Sequence, residues 1–315
     1  MKKFTLFFIL ILLVALSFFV GVNDLTVNGL LENVGQQRLL FMTTRLPRTV
    51  SLVLAGATMS ICGLVMQHLT QNKFVSPTTA GTMDSARLGI VFVMLVLPSA
   101  STLTRGFVAF VFALLGTLAF LFLSRYLPGK SQMMLPLVGV MFGNIVGSVA
   151  TFFAYQYQLV QNMSSWLQGN FATVTRGSYE LLYLTVPIFI VIYAFAYRFT
   201  IIGLGEDLAK NLGLNYQVTQ FFGIFLVAIA SAVTLIMVGT VPFLGVVVPN
   251  IVAMIYGDHM KDTLGLTAIA GSIFLISCDI LSRIIIAPYE IPVSVIVGVI
   301  GSVLFIFLLL RRQRL

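Results

Sequence analysis

Ten acidic side chains and two histidines are the groups of this 315-residue sequence that could relay protons near neutral pH or hold a hard cation. They are Asp24, Glu32, Asp84, Glu180, Glu206, Asp207, Asp258, Asp262, Asp279 and Glu290, with His68 and His259. Transport driven by protons or sodium places such groups in the middle of apolar segments. Here each lies in a polar stretch or near the edge of an apolar run. A charge at the bilayer centre costs at least ~2.5–3.5 kcal/mol, and the sequence avoids that cost. Ion-coupled chemistry therefore loses its usual parts. No G-x-x-x-x-G-K-[ST] loop is present, so the chain does not hydrolyse ATP itself. H-E-x-x-H, G-x-S-x-G and C-x-x-C patterns are missing too, so an intramembrane enzyme lacks its components. Cys62 and Cys278 stand inside apolar runs and read as small buried hydrophobes, not as a disulfide or metal pair. No cofactor or metal is expected.

The cations carry more pattern. Lys and Arg total 18 against 10 Asp and Glu, a net charge of +8. In a water-soluble chain that excess would suggest nucleic acid. Most of these residues stand just outside apolar runs, where basic side chains set the orientation of membrane segments, so no nucleic-acid partner is expected. Arg45, Arg48 and Arg283 are the exception, because they sit at run ends where orientation asks for none. Alone they could snorkel to lipid phosphates. Asp279 stands four residues before Arg283, the favourable order for an intrahelical pair.

The elements that position these residues must be membrane-spanning helices. The chain is 59% hydrophobic and 9% charged, with mean hydropathy +1.04. A soluble domain carries roughly 25% charged residues. Backbone in lipid must be paired internally, which leaves helices or closed barrels. The apolar runs here are continuous and about twenty residues long, as helices need, rather than alternating as barrel strands do. The predicted fold class is all-α, a polytopic membrane protein of about ten transmembrane helices. The runs are roughly Phe4–Val22, Arg48–Gln67, Ala86–Pro98, Gly106–Tyr126 and Met133–Phe153, then Leu181–Thr200, Gln217–Val238, Val241–Tyr256, Leu264–Ser282 and Ile291–Leu310. The third and eighth are short, which implies tilt, bilayer thinning or a broken helix. Residues 1–315 read as one membrane domain, since no stretch is long and polar enough for a soluble one. Met1-Lys2-Lys3 with Phe4–Val20 resembles a secretory signal, but no A-x-A pattern precedes Asn23-Asp24, so it reads as a retained first span.

Ten spans put both termini on one side. That side holds Lys2, Lys3, Lys73, Arg125, Lys130, Arg198, Lys210, Lys261, Arg311, Arg312 and Arg314. The other holds Arg38, Arg45, Arg48, Arg105, Arg176 and Arg283. The bias predicts cytoplasmic termini and places the three unusual arginines outside. Gly139, Gly143 and Gly147 share one face of the fifth run and allow close helix approach. Ordinary packing and a moving, pore-lining helix both fit that stripe.

Several motifs, taken in order, resemble one family. RLPR at Arg45–Arg48 runs into TVSLVLAGATMSICGLVMQ, and Asn72-Lys73-Phe74-Val75-Ser76-Pro77 is similar to an N-P-L-A-x-P loop. Trp166–Phe171 (WLQGNF) and Gly205–Gly213 (GEDLAKNLG) follow, then Gly239–Met260, Asp279–Arg283 (DILSR) and Glu290–Val293 (EIPV). Together they resemble the permeases of iron–siderophore and vitamin B12 ABC importers, over nearly the whole chain.

The resemblance implies a type II ABC importer permease in the cytoplasmic membrane. Its partners would be two ATP-binding cassette ATPase subunits, a second permease copy or paralogue, and an extracytoplasmic siderophore-binding protein. The loop over about 201–216 would hold a coupling helix for the ATPase. Gly205 and Glu206 would open it, Leu208, Ala209 and Leu212 would give its apolar face, and Gly213 would end it. Arg45, Arg48 and Arg283 would dock acidic residues of the binding protein. Three departures from the family pattern stand out. Asn72–Val75 lacks the asparagine-proline start, Asn250 replaces a usual histidine, and Thr82–Arg87 (TMDSAR) replaces a glycine- and serine-rich helix start. Asp84 and Arg87, three apart, could pair. The last variant is similar to a catecholate-siderophore subgroup. A ferric siderophore is the expected cargo, with vitamin B12 or haem as other cargoes. A self-contained secondary transporter is the alternative class.

Overall fold

Residues 49–66 are apolar or small on every side, so the helix they belong to has to be enclosed by others. The computed structural model describes residues 2–21, 35–77, 81–124 and 134–312. Asn23, Asp24, Glu32, Arg125, Lys130 and Arg314, and the predicted span ends Val22, Tyr126 and Met133, lie outside them. In chain order the helices are α1 (Lys2–Phe19), α2 (Gly35–Leu40), a π turn (Phe41–Arg45), α3 (Leu46–Leu69), α4 (Thr82–Val96), α5 (Thr102–Ser124) and α6 (Met134–Gln156). Then follow α7 (Val160–Leu167), a 3-10 turn (Glu180–Leu184), α8 (Thr185–Ile202), α9 (Glu206–Asn211), α10 (Tyr216–Val238), α11 (Leu244–Tyr256), α12 (Met260–Ile284) and α13 (Val293–Arg312). Each of the ten predicted runs coincides with a helix.

Helix α3 is the axis of the fold. Leu52, Ala55 and Val65 on it are fully buried. Small residues let its neighbours approach: a Cβ added to Gly56 would stand 2.6 Å from the Gly271 carbonyl of α12. Ser272 Oγ donates to Val53 O at 2.8 Å across the same contact. Gly63 meets Gly245 of α11 backbone to backbone. Helices α8 and α10 close the remaining sides through Ile192, Phe199, Ile224 and Val227. Small and hydroxyl residues are what membrane helices use to pack where lipid is as apolar as leucine.

Helices α4, α5 and α6 form a second group. Ala86 and Ile90 pack on Ala109 and Ala113, and Thr82 and Thr117 hydroxyls share a hydrogen bond of 2.9 Å. The outer faces of α6 and α13 stay open, with Met141, Ile145 and Phe152 on one and Val299, Val303 and Phe307 on the other. Among the described residues six helices are long and apolar enough to cross a membrane, and Phe4–Phe19, Thr104–Phe120 and Leu244–Tyr256 are shorter apolar helices. A surface carrying Phe4, Phe107 and Tyr155 in the open suits lipid rather than water.

Helix α11 has 13 residues, about 20 Å of rise against ~30 Å of hydrocarbon. The chain before it, residues 239–243, is non-helical, turned by Gly239 at φ 76° and Phe243 at φ 61°, and its backbone finds partners elsewhere. Thr240 N donates to Leu167 O at 2.9 Å, and Ser294 N donates to Gly169 O at 3.1 Å. The WLQGNF, GTVPF and EIPV stretches therefore meet in space. Pro249 inside α11 leaves Gly245 O without its helical donor, and Gln67 Nε2 lies 3.4 Å from that oxygen.

Candidate functional site

One end of the bundle gathers the unusual arginines. The π turn and the start of α3 supply Arg45 and Arg48, and the last turn of α12 supplies Arg283. Asp279, one turn before Arg283, is fully buried. Arg48 donates to its Oδ1 twice, from Nη2 at 2.8 Å and from Nε at 3.1 Å. Arg48 Nη1 reaches Glu290 Oε2 at 2.8 Å. Arg283 pairs with Asp279 Oδ2 and donates through Nη1 to Ser17 O at 3.0 Å and Val20 O at 2.7 Å. Arg45 also donates to Val20 O. These carbonyls close the C-terminal end of α1, where the helix dipole favours cations.

The three arginines are enclosed by the protein at this end rather than held open. Arg45 and Arg48 are each 8% exposed and Arg283 is 4% exposed. Two carboxylates and the last carbonyls of α1 take up their N–H groups and offset part of their charge, so they do not need water. The i, i+4 pair of Asp279 and Arg283 is present. The pairing of Arg48 with residues 231 and 242 positions away is tertiary, and no local pattern announces it.

The opposite end carries α9, between α8 and α10. Gly205 takes φ 114°, outside the range of other residues, and Ala209 N closes on its carbonyl at 3.0 Å. Gly213, at φ 78°, ends the helix: Gly213 N donates to Lys210 O and Leu214 N to Ala209 O, a Schellman closure. Glu206 and Lys210 pair at 2.8 Å one turn apart. The Glu206 carboxylate raises the Lys210 proton affinity above the usual lysine value. Leu208 and Leu212 lie on the open face, with Leu204 beside them. Ala209 does not share that face, which corrects the predicted contact set. It is fully buried, because a helix turns about 100° per residue and carries position 209 away from the 208/212 row.

The glycine stripe of α6 faces α4. Gly139, Gly143 and Gly147 are buried, and the Asp84 carboxylate fills the space they leave. A Cβ at Gly143 would stand 2.7 Å from Asp84 Oδ2, and one at Gly147 would stand 2.9 Å from Oδ1. Arg87 lies 3.8 Å from the same carboxylate. The stripe thus seats a side chain as well as a neighbouring backbone. The two other departures from the family pattern also touch. Asn250 Nδ2 donates to Lys73 O at 2.7 Å, and Lys73 Nζ pairs with Asp258 at 2.5 Å.

Known proteins resemble this chain along its length. The FecCD transport family profile matches residues 9–311. The chain is 49% identical over 313 residues to the petrobactin import system permease protein YclN of Bacillus subtilis (strain 168), covering 99% of each. It is 39% identical over 302 residues to the ferric-anguibactin transport system permease protein FatD of Vibrio anguillarum, covering 96% of each. A solved metal-chelate type ABC transporter in an inward-facing conformation has the same fold, with TM-score 0.86, 24% identity and 98% of each chain covered.

Proposed function

The chain belongs to the FecCD transport family, and on that premise we propose that it is the membrane permease of an ATP-driven importer for a ferric siderophore. It is a multi-pass membrane protein and a transport subunit, not an enzyme. Its relatives at 49% and 39% identity are named for petrobactin and ferric anguibactin import. The full-length similarity to the first of them is the observation that carries the cargo assignment. Both termini lie in the cytoplasm, and residues 1–315 act as one permease domain.

Energy enters through the loop over about 201–216. Leu208 and Leu212 stand in the open at one end of the bundle with Lys210 and Glu206 beside them. An exposed leucine pair on a capped six-residue helix needs a covering partner, and one of two ATPase subunits supplies it. Gly205 and Gly213 fix where that helix begins and ends, while Ala209 seats it on the permease. A second permease copy or paralogue packs on the open faces of α6 and α13, and cargo passes between the two. The Gly139, Gly143 and Gly147 row keeps α4 and α6 close enough to tilt together. The opposite end receives the extracytoplasmic siderophore-binding protein. Three arginines there share two carboxylates, so Arg45, Arg48 and Arg283 leave an excess positive field. Such a field speeds encounter with an acidic surface and sets its register.

The test is reconstitution in proteoliposomes with the ATPase and the binding protein, with uptake of ferric petrobactin measured. Uptake is expected to require internal ATP and to survive collapse of proton and sodium gradients. Uptake by the chain alone, driven by a gradient, would refute the assignment.

A further inference from the structure

Among the described residues, several helices end on a glycine of positive φ, among them Gly213 at 78° after α9, Gly239 at 76° after α10 and Gly257 at 88° after α11. Glycine takes that conformation without a Cβ clash, which is why it dominates helix ends. Helix α3 ends on Gln71 instead, at φ 49°. The closure is otherwise that of α9, with Gln71 N donating to His68 O at 3.2 Å and Asn72 N to Gln67 O at 3.1 Å. A side chain in the left-handed region is strained, and such strain persists where surrounding contacts demand it. Gln158, after α6, shares the conformation at φ 57°, but its side chain lies in the open.

The Gln71 side chain is engaged. Its Nε2 donates at 3.2 Å to the carbonyl of Ile202, the last residue of α8. The same carbonyl accepts Gly205 N at 3.0 Å, the bond that turns the chain toward α9. A Cβ on Gly205 would stand 3.6 Å from Gln71 Nε2. Two further contacts tie the same end of α3. His68 Nδ1 would meet a Cβ on Gly203 at 2.6 Å, and Gln220 Nε2 of α10 donates to Leu69 O at 3.1 Å. The end of α3 thus touches both helices that flank the 203–215 loop, and one side chain holds that loop's first turn.

We propose that Gln71 is the positioning residue of the coupling helix: it locks the turn at Ile202–Gly205 to the axis helix α3. A displacement of Leu208 and Leu212 by the ATPase and a tilt of α3 then become one motion. Glycine in its place would relieve the backbone and leave the turn without its hydrogen bond to α3. This inference rests on the coupling role given to α9 above.

The test compares Gln71→Gly, Gln71→Glu and Gln158→Gly in the assembled permease–ATPase complex in proteoliposomes. Ferric petrobactin is the cargo probe, and the readouts are melting temperature and iron imported per ATP hydrolysed. Gln71→Gly is expected to melt at or above the wild-type temperature, yet import per ATP should fall about threefold to tenfold, the span of one lost hydrogen bond. Gln71→Glu keeps the length and loses the donor, and should lose coupling to the same degree. Gln158→Gly relieves a like strain far from the loop and should couple normally. Wild-type import per ATP in Gln71→Glu overturns the assignment, even where the glycine variant fails to assemble. A wild-type chain that retains no ATPase refutes the coupling role itself and this inference with it.

Discussion

Asp279→Asn should destabilise the protein by about 3–5 kcal/mol, the loss seen when one partner of a buried ion pair is removed. The shape of the side chain is kept, so no cavity contributes. What changes is charge and hydrogen-bond sense. The carboxylate accepts from Arg48 Nε, Arg48 Nη2 and Arg283 Nη2, and none of its surface is exposed. An amide keeps one acceptor and turns two donors toward a guanidinium, so at least one arginine loses its partner. Hydrogen bonds to charged groups are worth about 1.5–3 kcal/mol each, and losing two of them agrees with the range above. Glu290→Gln provides the scale. Its carboxylate is 25% exposed, water screens it, and its loss should cost about 1 kcal/mol or less. The assay is unfolding of the purified permease in detergent micelles, by denaturant and by heat, for both variants and wild type. Equal stability of Asp279→Asn and wild type would show that the arginines escape to lipid phosphate or water, and the buried cluster would not be a structural clasp.

The other predictions concern the remaining sites. Leu208→Glu with Leu212→Glu should abolish co-purification of the ATPase while the melting temperature stays within about 1 °C of wild type, since surface changes are worth within about 0.5 kcal/mol. Gly147→Leu drives carbons into the Asp84 carboxylate and should cost about 1–3 kcal/mol as overpacking does. Adding Asp84→Ala should recover part of that loss, and an additive double mutant would refute the seat. Raising salt from low to physiological strength should slow binding-protein association through the on-rate, read by surface plasmon resonance, while the off-rate changes little.

Much of the fold was legible because lipid imposes a simple code. Continuous apolar runs must be helices, and each of the ten runs is one. The short third and eighth runs are α4 and α11, the latter with 13 residues and an internal proline. Gly213 announced the end of α9 because a helix stop followed by a left-handed turn has a strong residue preference. The arginine cluster was legible only in part. Orientation bias marked Arg45, Arg48 and Arg283 as unusual, and spacing gave the Asp279–Arg283 pair. Burial was not visible, because it depends on α1 and Glu290 arriving from distant sequence. A second signal was available: Asp279 and Glu290 stand at the same predicted end as the three arginines. Gln71 carried no signal at all. A glutamine after an apolar run reads as a loop residue until its φ and its distance to Ile202 are known.

The non-helical stretch before α11 bears on how the chain is made. Its backbone groups cannot meet lipid unpaired, since each would cost several kcal/mol. Their partners include Leu167 O, and the neighbouring Gly169 O is met by Ser294 N, near the start of the last helix. The 239–256 segment therefore cannot settle as an independent hairpin when it leaves the ribosome. It settles against the 166–171 stretch made before it, whose Gly169 carbonyl is met only once Ser294 has been synthesised. A chain halted before residue 294 is expected to expose the 166–171 stretch to membrane proteases, and a chain that includes it to protect that stretch.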